Sequence, residues 1–278
     1  MEGFHIITSK GFVNGTEKIF QFLIRVVKTR RTSYTVAIVP VPRDLKDAVN
    51  DTNENLKKCL LININTSDDQ PVGYIVNFAH ERSCSLSPGL EESEGRFMVQ
   101  PTLEFCRRLF GVSRFEFADS SSFICNPSGE TISMGKHNLL VHGKTWYERI
   151  FGAYPSEEED QRKLRMTKLI LSEKVDAEKA SKFIKFVRHE AVKALLFLDD
   201  QIVEEFTTIV RSSIKNLSWN GMFNEINNMA NKRGCEFFTE FSIRYIFELL
   251  SISDILMWEI DIGSQPDQQL QSFEKIEL

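Results

Sequence analysis

At Pro155 the spacing of apolar residues changes, and that change limits the architectures open to the chain. Before it, short segments such as KIFQFLIRVV (18–27) and PVGYIVNF (71–78) are rich in β-branched and aromatic residues and alternate at a period of two. After it, Ala180, Phe183, Val187, Ala191, Leu195, Leu198, Ile202, Phe206 and Ile209 recur every third or fourth position. Strands that come first and helices that follow predict an α+β protein, with a mainly antiparallel sheet domain over 1–155 and an all-helical domain over 156–262. A polar tail, 263–278, ends the chain. The charge divides at the same place: residues 1–155 carry 18 Lys and Arg against 17 Asp and Glu, and residues 156–278 carry 16 against 22.

Within the first part, 18–27 and 33–41 predict a hairpin. Its turn KTRRTS carries Lys28, Arg30 and Arg31, either as a basic contact for phosphate or an acidic partner or as a solvated tip. Three charges without aromatic support favour the tip. Residues 42–55 read as a short helix and loop. Strands are expected at 58–65, 71–78, 83–86, 96–99 and 112–117, with a Ser-rich loop over 119–133. A helix is expected over 102–110, with Pro101 at its entrance and Leu103, Cys106 and Phe110 inside. In 136–155, Leu139, Leu140 and Val141 read as a strand end and His142-Gly143 as a turn. A helix from Lys144 to Phe151 stops at Gly152.

Beyond Pro155, Ser156 and Glu159 make a capping-box pattern for a helix reaching Ser172. Asp199-Asp200 divides the long periodic run. Further helices are expected over 220–232, stopped by Gly234, and over 236–252, with Phe238, Phe241, Tyr245 and Leu249 on one face. Phenylalanine is abundant, 22 against 3 Trp and 5 Tyr. Phe183, Phe186, Phe197, Phe206, Phe237, Phe238 and Phe241 cannot all face one narrow core. Either they are all buried between the two domains, or some form an apolar patch for a protein partner or a second copy of the chain.

Five scattered cysteines (Cys59, Cys84, Cys106, Cys125, Cys235) contain no CxxC pair, which predicts neither a disulfide framework nor a zinc site and suits an intracellular, reducing compartment. The opening MEGFHIITSK has no basic region followed by an apolar run, so no secretory leader is expected, and no apolar stretch is long enough to span a bilayer. The charge balance speaks against a dedicated nucleic-acid binder. His137 and His142 do not have a metal-ligand spacing. No nucleotide loop, zinc-protease or nucleophile-elbow pattern occurs. His80, Glu81, Glu116 and Asp119 end strands as candidate bases or as plain strand-end charges.

The run Tyr147-Glu148-Arg149-Ile150-Phe151-Gly152 resembles the last helix of the GNAT acyltransferases, and PVGYIVNF resembles the central strand of their sheet. The resemblance implies a GNAT-like sheet domain in which Tyr147 stands where the family places the general acid that protonates the departing thiolate. It places an acetyl-CoA phosphate loop between residues 83 and 102, where Gly89, Gly95 and Arg96 are the available elements. Here Glu91, Glu92 and Glu94 intervene, and carboxylates repel a pyrophosphate. Two readings result. One is a non-catalytic binding protein with no cofactor; the other is an active acetyl-CoA-dependent N-acetyltransferase. HGKTWYERIFGAYP also resembles segments of proteins of large nucleocytoplasmic DNA viruses, of the marseillevirus and mimivirus kind, which implies a viral protein of the host cytoplasm or the virion.

Overall fold

The computed structural model describes residues 1–278 except 14–15, 40–58, 68, 79–95, 120–121, 126–128, 193–199, 256, 263–269 and 277–278. The chain forms two compact units, one of Met1–Ala118, Phe151–Ala153 and Met257–Leu278, the other of Asp119–Ile150 and Tyr154–Leu256. The division therefore falls at Ala118 rather than at Pro155, and the end of the chain belongs with the first unit.

Eight strands build the sheet of the first unit: β1 (Gly3–Val13), β2 (Thr16–Arg30), β3 (Ser33–Ile38), β4 (Leu60–Asn65), β5 (Val72–Phe78), β6 (Arg114–Ala118), β9 (Met257–Asp261) and β10 (Leu270–Ile276). They lie in the order β10-β1-β2-β3-β4-β5-β6-β9. All neighbours are antiparallel except β5 and β6, which are parallel and joined through helix α1 (Arg96–Phe110). The expected hairpin forms, with a tighter turn at Arg31-Thr32. Strand β1 was not expected from the sequence, and β10 stands where a polar tail was expected. Both form because β1 is paired along both edges, to β2 and to β10.

The α1-covered face of the sheet is apolar: Phe22, Ile24, Val36, Ile62, Phe115 and Ile260 are fully buried. Helix α1 begins at Arg96, so the expected strand at 96–99 is helical and Pro101 lies inside the helix rather than at its entrance. Proline has no N–H for the Phe97 carbonyl one turn back. Ser9 of β1 supplies the missing bond, its Oγ donating to that carbonyl at 3.1 Å while itself fully buried. This satisfied carbonyl is why proline is tolerated there. The helix expected at 42–55 and the strand expected at 83–86 lie outside the described residues.

The second unit opens with a small hairpin, β7 (Ser122–Ile124) and β8 (Thr131–Ser133), inside the expected Ser-rich loop. Helix α2 (Met134–His142) replaces the expected strand at Leu139–Val141. A short apolar run fits a buried strand and a buried helix equally. The ends decide: Ser133 Oγ accepts from the Lys136 N–H, and Gly143 closes the helix at φ +69°, a conformation open to glycine. Helix α3 (Trp146–Phe151) follows as expected, with Gly152 at φ +63°.

Helices α4 (Glu158–Ser172), α5 (Ala177–Val192), α6 (Asp200–Ser213), α7 (Trp219–Asn227) and α8 (Glu240–Leu250) complete the unit. No side chain caps α4 at Glu157, so the Ser156–Glu159 capping box does not form. Helix α7 ends at Asn227, and Ala230–Phe238 winds as a 3₁₀ segment in place of a longer helix. Gly234 lies within that segment against the end of α7. A Cβ there would stand 2.1 Å from the Ile226 carbonyl oxygen. Because the obstacle is backbone, Gly234→Ala should destabilise by about 3 kcal/mol, read as a lowered urea midpoint.

The core of this unit is a chain of rings. Phe206 stacks on Phe237 at 4.5 Å, and Phe183 meets Phe206 and Phe223 edge-on. Phe183, Phe206, Phe237 and Phe238 are buried, whereas Phe241 is 58% exposed beside the half-buried Phe186. Helix α8 therefore buries Ile243, Ile246, Phe247 and Leu250 rather than Phe241, Tyr245 and Leu249, and Phe238 is buried from the 3₁₀ segment ahead of it. Phe197 lies outside the described residues. Cys125 and Cys235 are joined by a disulfide, and Cys59 is disulfide-bonded as well, so the disulfide-free reading is corrected. Cys125 and Cys235 are 110 residues apart, a pairing that spacing cannot reveal.

Candidate functional site

One irregularity in the sheet, beside its parallel pair, lies on β5. Its register with β4 runs Asn77 opposite Leu61 and then Ile75 opposite Ile62, which leaves Val76 as an extra residue. Such a bulge bends the strand and increases its twist. On the other side, parallel pairing with β6 begins at Val72 and Arg114 and stops at Ile75 and Phe117. The bend and the last paired row coincide. Gly73 permits the close approach in this region, since a Cβ there would meet the Phe115 ring at 2.4 Å.

On the face away from α1, the registers align one row across six strands: Val27, Thr35, Asn63, Tyr74, Glu116 and Glu259. Thr35 Oγ1 donates to Asn63 Oδ1 at 3.1 Å. Tyr74 is 43% exposed. Arg114 lies within 3.7 Å of Glu116 and 3.9 Å of Glu259, near enough to offset both carboxylates without hydrogen-bonding either closely. The row offers a ring, an amide and two carboxylates side by side, and a carboxylate so placed can accept a proton from a bound group. Glu116 was among the strand-end candidates; its neighbours were not foreseen. Alternation alone puts Tyr74 with Val76 and Arg114 with Glu116, but only register shows that they share a row.

The other candidates are placed differently. Tyr147 sits on α3, buried and edge-on to Trp146 at 5.2 Å. A capping box opens that helix. The Thr145 N–H donates to Glu148 Oε2 at 2.8 Å, and the Glu148 N–H donates to Thr145 Oγ1 at 3.2 Å. Lys168 pairs with Glu148 and holds the α3 entrance to α4. Arg96 is the first residue of α1, while Gly89 and Gly95, like His80 and Glu81, lie outside the described residues. The structure thus brings Glu116 into a row of functional groups on the first unit, while Tyr147 is a buried residue of the second.

The chain matches no family model, no curated protein and no solved structure. Chemistry must therefore carry any reading. Among the described residues no group of three or more His, Cys, Asp or Glu could hold a metal, and no helix is long and apolar enough to cross a membrane. His137 is buried on α2, donates through Nε2 to Asn227 Oδ1 at 2.9 Å and lies edge-on to Phe238. Burial pushes its pKa down to about 4, the bond to Asn227 opposing, so the ring is a neutral structural element. Burial also lowers the pKa of His142, with the Arg149 charge adding to the effect. Among the described residues the free thiol is Cys106, buried on α1, and burial pushes its pKa far up; it is no nucleophile.

Proposed function

We propose that this is a non-catalytic binding protein, associated with the virion of a large DNA virus and built on a GNAT-like sheet domain that has lost acyl-transfer chemistry. The sheet topology supports the domain reading: one parallel pair in an antiparallel sheet, reached through α1, with β5 bent at Val76 where the pair ends. Loss of chemistry rests on Tyr147. A general acid must offer its phenol to the departing thiolate, and this one is buried against Trp146. The sequence ahead of α1 agrees, since Glu91, Glu92 and Glu94 stand where a coenzyme A pyrophosphate would need donors. The residues present do not fit that cofactor. Disulfides persist on virion and cell surfaces and are rare in the cytosol, so of the two locations the virion suits Cys125–Cys235 better.

Calorimetry with acetyl-CoA tests this reading. No binding is expected at micromolar concentrations, and low-micromolar binding would overturn it. The bent β5 and the position of Glu116 favour a second reading, an acetyl-CoA-dependent N-acetyltransferase with Tyr147 as general acid. In that case Tyr147→Phe lowers turnover with little change in substrate affinity.

A further inference from the structure

The hairpin tip that carries Lys28, Arg30 and Arg31 gains from the fold what its sequence lacks, aromatic support. Tyr34, paired with Lys28 across the hairpin, packs its ring on Phe110 at the end of α1, with centroids 4.8 Å apart. The Lys28 ammonium lies 5.8 Å from the Tyr34 ring centroid, within cation–π range. Both rings are half-buried, so each keeps an open edge. The same contact brings the last turn of α1, with Arg107 and Arg108, beside the tip.

These cations are not equally engaged. Glu104 holds both α1 arginines, at 2.7 and 2.6 Å. Lys28, Arg30 and Arg31 are exposed, and none of them forms an ion pair among the described residues. Among the described residues, two further carboxylates are near. Glu2 accepts the Lys28 main-chain N–H, and Asp69 stands in the turn that Thr66 ties to the Thr32 carbonyl. Among the described residues of this end of the sheet, cations still exceed carboxylates, in a chain whose net charge is −5. The whole-chain balance argues against a dedicated nucleic-acid binder but does not describe this one end of the sheet.

We propose that the β2–β3 tip, the Tyr34–Phe110 ring pair and the end of α1 form a binding surface for single-stranded nucleic acid. Bases pack on the exposed surface of the ring pair, and Lys28, Arg30 and Arg31 contact backbone phosphates. An aromatic platform beside unpaired guanidinium groups is the combination that binds such strands without reading their sequence. A lipid surface fits less well, because the exposed turn, Thr29 to Thr32, has no apolar side chain to insert.

The test titrates the full chain into a fluorescein-labelled oligouridylate and follows anisotropy at about 50 and about 200 mM salt. Binding should weaken as salt rises. Arg30→Gln with Arg31→Gln should weaken it further and flatten the log–log salt slope by about 1.4, since each phosphate contact contributes about 0.7. Tyr34→Leu should weaken binding about tenfold at an unchanged slope. Both arginines are exposed, so the double variant keeps the fold and the test stands on it if Tyr34→Leu does not fold. Absence of binding at the lower salt would overturn the proposal, and so would a double variant that matches the parent. Equal affinity for phosphatidylserine vesicles or heparin, with no loss in Tyr34→Leu, would reduce the surface to a plain anion contact and overturn it too.

Discussion

Replacing Cys125 and Cys235 together by alanine should lower the stability of the second unit by about 2–5 kcal/mol. The bond closes a long loop, with partners 110 residues apart, and the chain-entropy gain from a cross-link grows with loop length. It fixes the β7–β8 hairpin, whose turn is otherwise held, among the described residues, by the Gly129 N–H to the Cys125 carbonyl and the Cys125 N–H to the Glu130 carbonyl. Cys125 is buried, so alanine is the cleaner replacement; serine would add the cost of a hydroxyl placed without a partner. Urea midpoints of parent and double variant, each with and without dithiothreitol, separate the contributions. Dithiothreitol should lower the parent midpoint substantially. Any shift that persists in the double variant belongs to the bond at Cys59. A double variant with the parent's midpoint would show that the bond adds nothing to stability, and would remove the structural argument for an oxidising location.

What the sequence made legible follows from how local each signal was. The hairpin of β2 and β3, strands β4, β5 and β6, and helix α3 each carry their own alternation or stop signal, and each forms within a few residues of its expected place. Strand β1 was not expected, although a local signal for it exists. Val13 and Thr16 are paired across Asn14-Gly15, a dipeptide that marks a tight hairpin. Thr145-x-x-Glu148 likewise reads as a capping box, one position from the expected helix start, whereas the pattern at Ser156 does not form one. Other features depend on contacts far along the chain. Pro101 inside α1 requires Ser9, 92 positions earlier, through the bond it makes to Phe97. The open-face row from Val27 to Glu259 requires five registers, and no segment alone contains it. Helix α8 failed for a third reason: its aromatic and aliphatic faces are both apolar enough to be buried, and the aliphatic one is.

Acid should destabilise the protein through His137, with about 3 kcal/mol lost between neutral pH and pH 4. The ring is buried against Asn227 and Phe238, where a charged imidazolium would be cut off from water. Burial therefore lowers its pKa in the folded chain to about 4, against an ordinary value of 6.5. A folded-state pKa below the unfolded value means that the unfolded chain binds the proton more readily. The stabilisation is full above about pH 6.5, falls as pH drops through the window, and is gone below about 4. His5 and His142, also lowered by burial, act in the same direction, so the parent curve alone does not isolate His137. His137→Gln can keep a bond to Asn227 without titrating. It should cost about 1 kcal/mol at pH 7 and lose most of the pH dependence of the urea midpoint between pH 7 and 4. A variant whose midpoint falls as steeply as the parent's would sink this account, as would a His137 ring that titrates near its ordinary value by NMR.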